Sequence, residues 1–311
     1  MQAKVYWIDV SLKKIQRANV DGSCIEDEVT DLARPSGLAL LRSAVPGASG
    51  PTVLWSDLEE KKIYGINVAE ENPTREIWVE GLTAPTGSSL GVDHDQDGKE
   101  RLVWADLSLR QICFSERNGT PQVLVPNLQC PNSVVTHRGE VYWGDFGTRK
   151  IHKMNKEKNH EVLVPYGKNS TSLVVDSARG YLYWTNFGTN AIYRATLDGR
   201  EMQPLITDLQ SPSSLALASK AGKLYWLERP HGKLRRAGIE GTQVEDVLTG
   251  LVDPWALAVM ESLEDAAEIL VPIEKYSWTD EGEMIKVYII ESSNAAAIAA
   301  AGDGSQSRLQ V

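Results

Sequence analysis

Apolar and polar residues alternate along most of the chain in runs of about six, as in VYWID, KIQRA, LYW and IYRA. A period of two is the signature of half-buried strands, and no window of 11 or more residues within these runs sustains the 3.6 period of a helix. The runs are themselves periodic. Trp7, Trp55, Trp104, Trp143, Trp184 and Trp226 recur at intervals of 48, 49, 39, 41 and 42 residues. An aliphatic residue follows each at +8: Ile15, Ile63, Ile112, Ile151, Ile192 and Leu234. At +2 stands Asp9, Asp57, Asp106, Asp145, Asn186 or Glu228. Later in each unit comes a third element, such as Pro35-Ser36-Gly37-Leu38-Ala39-Leu40, Pro85-Thr86-Gly87, Pro131-Asn132-Ser133, Ser170-Thr171-Ser172-Leu173, Pro212-Ser213-Ser214-Leu215 or Pro254-Trp255-Ala256-Leu257. Asp21-Gly22, Asn118-Gly119 and Asp198-Gly199 supply turn signals between strands.

Four short strands per unit of this length, repeated six times, predict an all-β fold, a six-bladed propeller of four-stranded antiparallel blades. Strand a is the Pro-Ser-Gly-Leu-Ala-Leu element, b the Tyr-Trp-x-Asp tetrad, c the Ile-x-Arg-Ala run, and d a weaker run such as Gln122–Val125 or Gln203–Ile206. The chain enters at strand b, so the first blade lacks an inner strand, and Trp255–Met260 is left over to pair with Val5–Asp9 and close the ring. Closure removes the exposed edges that would template association. On a strand, Trp and the residue two later share a face. Each Trp is therefore expected to pack between blades, and each Asp to hold backbone N–H groups of a nearby turn. These twelve residues build the fold.

Tyr183-Trp184-Thr185-Asn186 followed by Ile192-Tyr193-Arg194-Ala195-Thr196-Leu197-Asp198-Gly199 resembles the YWTD repeat of the low-density lipoprotein receptor family. That resemblance covers residues 3–260 and implies the same six-bladed propeller. Leu54 and Val103 replace its Tyr, and Asn186 and Glu228 its Asp, so blades 2, 3, 5 and 6 are expected to be less regular. The family's cysteine-rich EGF-like module does not follow.

The 311 residues suit one propeller (1–260), an acidic linker (261–272) and a C-terminal segment (273–311). A net charge of −10 argues against a nucleic-acid partner. No apolar run reaches the ~18–20 residues of a membrane span. Cys24, Cys113 and Cys130 are odd in number and unpaired by motif, which argues against structural disulfides or zinc. With the first strand near residue 4, no signal peptide is expected, which places the protein in the cytoplasm, or outside the cell if the chain is a fragment of a receptor. The sequons at Asn118 and Asn169 are expected to be unused in the first case.

Candidate chemistry is sparse. Asp93-His94-Asp95-Gln96-Asp97-Gly98 places alternating carboxylates before a glycine between strands a and b of the third unit. Such a loop can supply oxygen ligands to calcium. The twelfth position of an EF-hand would be Trp104 rather than Glu, and the ninth of an integrin-type loop is Arg101, so Asp93, Asp95 and Asp97 form a weak calcium candidate or a solvated turn. No other cofactor is implied. The starts of the inner strands, Ser36, Thr86, Asn132, Thr171, Ser213 and Trp255, are expected to line the mouth of the axial channel, where six loops converge. Trp255 can plug that mouth or anchor a peptide. Six-bladed lactonases of the senescence-marker type hold a divalent metal there with Glu, Asn and Asp, and here only Asn132 corresponds. His94, His137, His152, His160 and His231 show no short-spaced pair, and no Gly-x-Ser-x-Gly or phosphate-binding loop occurs. Phe146-Gly147-Thr148 and Phe187-Gly188-Thr189 make the b–c turns of two units more apolar.

In the tail, Tyr276-Ser277-Trp278-Thr279-Asp280 imitates a seventh blade, but its +8 residue is Lys286. With Ile285-Lys286-Val287 it resembles instead the opening hairpin of a CS domain, the p23-like sandwich of Hsp90 co-chaperones, cut short before further strands. The expectation is a non-catalytic protein- or peptide-binding scaffold acting through the rim, an adaptor with chaperone machinery among its partners. The alternative is a metal-dependent lactonase or esterase at the mouth.

Overall fold

The six Tyr-Trp-x-Asp tetrads all occupy the second strand of a blade in the computed structural model, which describes residues 2–41, 50–84, 90–94, 100–167, 169–261 and the strands 273–278 and 284–289. Blade 1 contains β1 (Lys4–Asp9), β2 (Lys14–Asn19) and β3 (Glu26–Val29); blade 2 contains β4 (Pro35–Leu41), β5 (Thr52–Asp57), β6 (Lys62–Asn67) and β7 (Glu76–Glu80). Blade 3 contains β8 (Gly91–His94), β9 (Glu100–Asp106), β10 (Gln111–Glu116) and β11 (Gln122–Val125). Blade 4 is β12 (Pro131–His137), β13 (Glu140–Asp145), β14 (Lys150–Met154) and β15 (His160–Val164). Blade 5 is β16 (Ser170–Asp176), β17 (Tyr181–Asn186), β18 (Ala191–Thr196) and β19 (Gln203–Ile206); blade 6 is β20 (Pro212–Ala218), β21 (Lys223–Glu228), β22 (Lys233–Gly238) and β23 (Glu245–Leu248). β24 (Pro254–Met260) then pairs antiparallel with β1, Val5 opposite Val259 and Tyr6 opposite Ala258, and closes the ring.

The +8 rule has a packing cause. Ile8 lies opposite Ile15, so the +8 residue shares a face with the neighbour of Trp7 and points away from the Trp itself. Each Trp faces the preceding blade and each +8 aliphatic the following one. Six buried clusters result, one per seam. Trp55 packs with Ile15, Trp104 with Ile63, and Trp143 with Ile112. Trp184 packs with Ile151, Trp226 with Ile192, and Trp7 with Leu234 across the closing seam.

The blades expected to be irregular each have four strands. Blade 2 shows why. Leu54 is smaller than the Tyr it replaces, and Trp78 on β7 is buried beside it. Gly65 makes the room: a Cβ there would lie 2.5 Å from Trp78 Nε1 and 2.9 Å from Leu54 Cδ2. In blade 3 the strand placed at Pro85-Thr86-Gly87 is described only from Gly91, and Thr86 lies outside the described residues.

One end of the ring is locked by a repeated turn. The residue at Trp+6 has a positive φ in every blade, at Lys13, Lys61, Arg110, Arg149, Asn190 and Gly232. In five connectors between blades a second positive-φ residue is followed by Leu32, Leu82, Leu128, Leu209 or Leu251. The N–H of each Leu donates to the carbonyl of the Trp+6 residue at 2.8–3.1 Å. Each of these five connectors is thereby fixed to the b–c turn of the blade before it.

The chain divides into two compact units, and the blades lie in the first, residues 1–43 and 49–263. In the second, β25 (Ile273–Trp278) and β26 (Met284–Ile289) form a two-stranded antiparallel sheet, Tyr276 opposite Lys286.

Candidate binding face of the propeller

Strand a begins irregularly in the blades described there. Pro35 pairs with Asp57 and Leu38 with Trp55, and the register shifts across Ser36 and Gly37, both of which bond to Ser56 Oγ. The same slip leaves Asn132 between Pro131 and Ser133, Thr171 between Ser170 and Ser172, Ser213 between Pro212 and Leu215, and Trp255 between Pro254 and Leu257. Five of the six rim residues therefore sit on bulges, which release a side chain from the pleat and re-aim it.

Those side chains are largely spent on the ring. Asn132 Nδ2 donates to Ser170 O of the next blade at 2.8 Å, and Thr171 Oγ1 donates to Ser213 O at 2.9 Å. Ser213 Oγ donates to Leu227 O at 3.3 Å, and the Ser36 and Ser56 hydroxyls lie 2.9 Å apart. Trp255 is half-buried against the seam of blades 1 and 2. The Arg229 guanidinium covers its ring at 4.3 Å and is held by Asp253 at 2.7 Å. These five residues bring together hydroxyls, an amide and an indole. None is a general acid or base near neutral pH.

The carboxylates behind the rim are occupied. Asp145 accepts N–H bonds from Gln129, Cys130 and Thr148 at 3.0, 3.1 and 3.0 Å. Asp57 accepts from Arg34, Glu59 and Glu60, Asp106 from Ala84 and Leu109, and Asp9 from Leu12 and Asp253. Each ties the connector entering its blade to its own b–c turn. Asn186 accepts from Gly188 and Thr189 of its own turn, and Lys168 of its connector lies outside the described residues. Glu228 reaches elsewhere, to Trp226 Nε1 and Arg235.

Two histidines that lack short spacing in the sequence meet across β14 and β15. His152 Nδ1 lies 3.0 Å from His160 Nε2, and His152 Nε2 lies 3.0 Å from Thr148 Oγ1. Both rings pack on Trp143. Burial, with the charge of His160 second, pushes His152 down to about 4. It remains a neutral packing residue across the physiological range. Among the described residues no group of three or more His, Cys, Asp or Glu side chains is placed to hold a metal ion. Of the calcium candidate, Asp95 and Asp97 lie outside the described residues, and Asp93 is described only in its backbone, paired with Arg101.

Exposed apolar side chains gather on the surface formed by turns and connectors: Leu12, Leu107, Leu109, Tyr166, Phe187 and Val252. The other large exposed apolar residues described lie on outer strands and c–d turns. Tyr166 stands at the connector position that is exposed in the other five as well (Asp31, Gly81, Asn127, Asp208 and Gly250), and Gly167 takes the place of their Leu.

Residues 3–40 match the Low-density lipoprotein receptor repeat class B family. A stretch of 115 residues is 27% identical to the Vitellogenin receptor Yl of Drosophila melanogaster, covering 36% of this chain and 6% of that receptor. The chain thus matches a small part of that relative's length. Among solved structures, a nidogen/laminin complex has a chain of similar fold, with TM-score 0.68 and 19% identity over 83% of this chain and 98% of that one. A catalytically inactive virginiamycin B lyase from Staphylococcus aureus with quinupristin is also similar, with TM-score 0.55 and 15% identity over 81% of this chain and 84% of that one. At these identities the likenesses show the propeller fold alone. The comparisons give no support to a CS domain in residues 273–311.

Proposed function

We propose that this chain is a non-catalytic, protein-binding propeller that receives a protein or peptide on the end built by its b–c turns and inter-blade connectors. The observation that carries the reading is the state of the rim. Asn132, Thr171 and Ser213 donate to backbone carbonyls, Trp255 is capped by Arg229 with Asp253 behind it, and among the described residues no group of three or more His, Cys, Asp or Glu is placed to hold a metal ion. A hydrolase needs a nucleophile or an activated water with a base beside it. A binder needs rigid, exposed loops on a stiff frame.

The class B repeat and the vitellogenin receptor match favour the same reading, as does a propeller of similar fold in a complex of nidogen with laminin. They also favour an extracellular setting over the cytoplasmic one expected from the sequence. Among the described residues, no helix is long and apolar enough to cross a membrane. An adaptor role with chaperone partners rests on the resemblance of the 273–289 hairpin alone. Calcium at Asp93, Asp95 and Asp97 is part of the proposal only as a weak, loop-ordering ion.

The test is affinity capture from lysate and from secreted medium of the source cells, with wild type against a Trp255→Ala, Asn132→Ala variant, each with calcium and with chelator. Named proteins retained by wild type and lost by a folded variant support rim binding, and loss with chelator alone implicates the Asp93–Asp97 loop. Stoichiometric metal in the purified protein, with turnover of a lactone or ester panel, would overturn the reading.

A further inference from the structure

We infer that the half of the binding end built by blades 3, 4 and 5 docks an acidic protein segment that carries a large apolar side chain. The inference rests on the protein-binding reading above and narrows it to a sector and a chemistry.

Charge divides this end in two. In blades 3–5 the b–c turns are LSLR (107–110), FGTR (146–149) and FGTN (187–190), and the connectors leading into them contain GLTA (81–84), PNLQC (126–130) and PYG (165–167). None of these carries an acidic residue, and Arg110 and Arg149 are exposed. The turns and connectors of blades 6, 1 and 2 hold five carboxylates, Asp31, Glu59, Glu60, Asp208 and Asp253, against the four cations Lys13, Arg34, Lys61 and Arg229, so their cations are offset and Arg229 is paired with Asp253. Asp106 and Asp145, at the ends of their b strands, are buried and accept backbone N–H groups, and the exposed Glu80 that precedes the first connector lies beside Lys62. In blade 5 that carboxylate is replaced by the neutral Asn186. A cationic sector on a chain of net charge −10 is therefore a local arrangement rather than a reflection of composition.

The apolar residues follow the same division. Leu107, Leu109, Tyr166 and Phe187 are 38%, 49%, 71% and 54% exposed, all in this sector. The other half offers Leu12 and Val252. Leu107, Leu109 and Phe187 are presented on turns held by N–H bonds to Asp106 and Asn186, and Tyr166 on the connector into blade 5. Aromatic and Leu anchors flanked by Arg are the composition of an interface core with a steering rim. An anionic membrane would also meet cations beside aromatics. Each basic residue near such a surface adds little, and two turn arginines on an acidic chain offer little against the repulsion of the whole. A single acidic segment needs only those two, with an apolar residue between its charges.

The probe is a displayed library of random twelve-residue peptides selected on the full chain. Enriched peptides should combine Asp or Glu with Phe, Trp, Tyr or Leu. Affinity of an enriched peptide should fall at least tenfold for Arg110→Glu with Arg149→Glu, and return when its acidic residues are changed to Lys. The matched control is Lys13→Glu with Lys61→Glu, the same turn position in blades 1 and 2, and it should bind as wild type does. Enrichment of basic or neutral peptides overturns the inference and leaves the protein-binding reading standing. So does an affinity that responds to Lys13 and Lys61 rather than to Arg110 and Arg149. Failure to select any peptide overturns both. Co-sedimentation with phosphatidylserine vesicles that is lost on reversing Arg110 and Arg149, without peptide selection, assigns the sector to a membrane surface instead.

Discussion

Asp145 offers a direct measure of what the repeated carboxylate contributes. It is 2% exposed and accepts three backbone N–H bonds, two from the connector into blade 4 and one from the b–c turn. Asp145→Ala strands three donors at once. A buried donor left without a partner costs about 1–3 kcal/mol. With some entry of water, the loss is expected at about 3–6 kcal/mol, a large share of the ~5–15 kcal/mol that holds a typical domain. Asp145→Asn is the informative control, because Asn186 shows how an amide serves in blade 5, with one oxygen taking two N–H groups. The Asn variant keeps the bonds of Cys130 and Thr148 on Oδ1 and turns an NH2 toward the Gln129 N–H, a loss of about 1–3 kcal/mol. Urea unfolding followed by tryptophan fluorescence and by circular dichroism should place the midpoints in the order wild type, Asn, Ala, at a shared slope. An Ala variant within 1 kcal/mol of wild type, or an Asn variant less stable than Ala, would refute the tether argument.

His152 predicts a pH effect. Its folded value, about 4, lies below the ordinary one near 6.5, so the unfolded chain binds the extra proton first. Its contribution, about 3 kcal/mol, is complete above pH 6.5 and is lost between 6.5 and 4, and His152→Phe should flatten that part of the stability curve relative to wild type. Gly144→Ala would place a Cβ 2.2 Å from Ser170 Oγ and 2.9 Å from Ser133 Oγ. It should cost about 1–3 kcal/mol by overpacking, with part of the loss recovered in the Ser170→Ala background; no recovery would mean that Ser170 is not the obstacle. Deleting Trp255–Val259 should abolish a single cooperative melt, and a deletion variant that melts like wild type would contradict closure through β24.

The ring was legible in the sequence because every seam uses the same pair, a Trp from one blade and the +8 aliphatic from the one before. The connectors carry a signal of their own. Leu32, Leu82, Leu128, Leu209 and Leu251 each precede a Pro by three residues, a spacing as regular as that of the tryptophans. Other features need three dimensions. The rim bulges consume residues without disturbing the alternation around them. The His152–His160 contact depends on the register across a c–d turn. The compensation of Leu54 by Trp78 and Gly65 links three strands and is invisible from the tetrad alone. The binding sector was the least legible, because Leu12 and Leu32 are the same residue in the sequence, and only folding exposes one and buries the other.

Joining β24 to β1 also sets an order of events during synthesis. Blades 2 to 6 are each contiguous in the chain, and each can fold soon after its fourth strand leaves the ribosome. Blade 1 cannot. β1 emerges first and then waits for Met260, the residue opposite Lys4. At roughly 5–20 residues per second the wait is on the order of 10–50 s. Through that interval Tyr6, Trp7 and Ile8 remain without the inner strand that covers their edge, available to chaperones and to the matching strand of another nascent copy. The propeller's last strand therefore acts as a latch on its first, and the ring is most vulnerable at the strand that has been waiting longest.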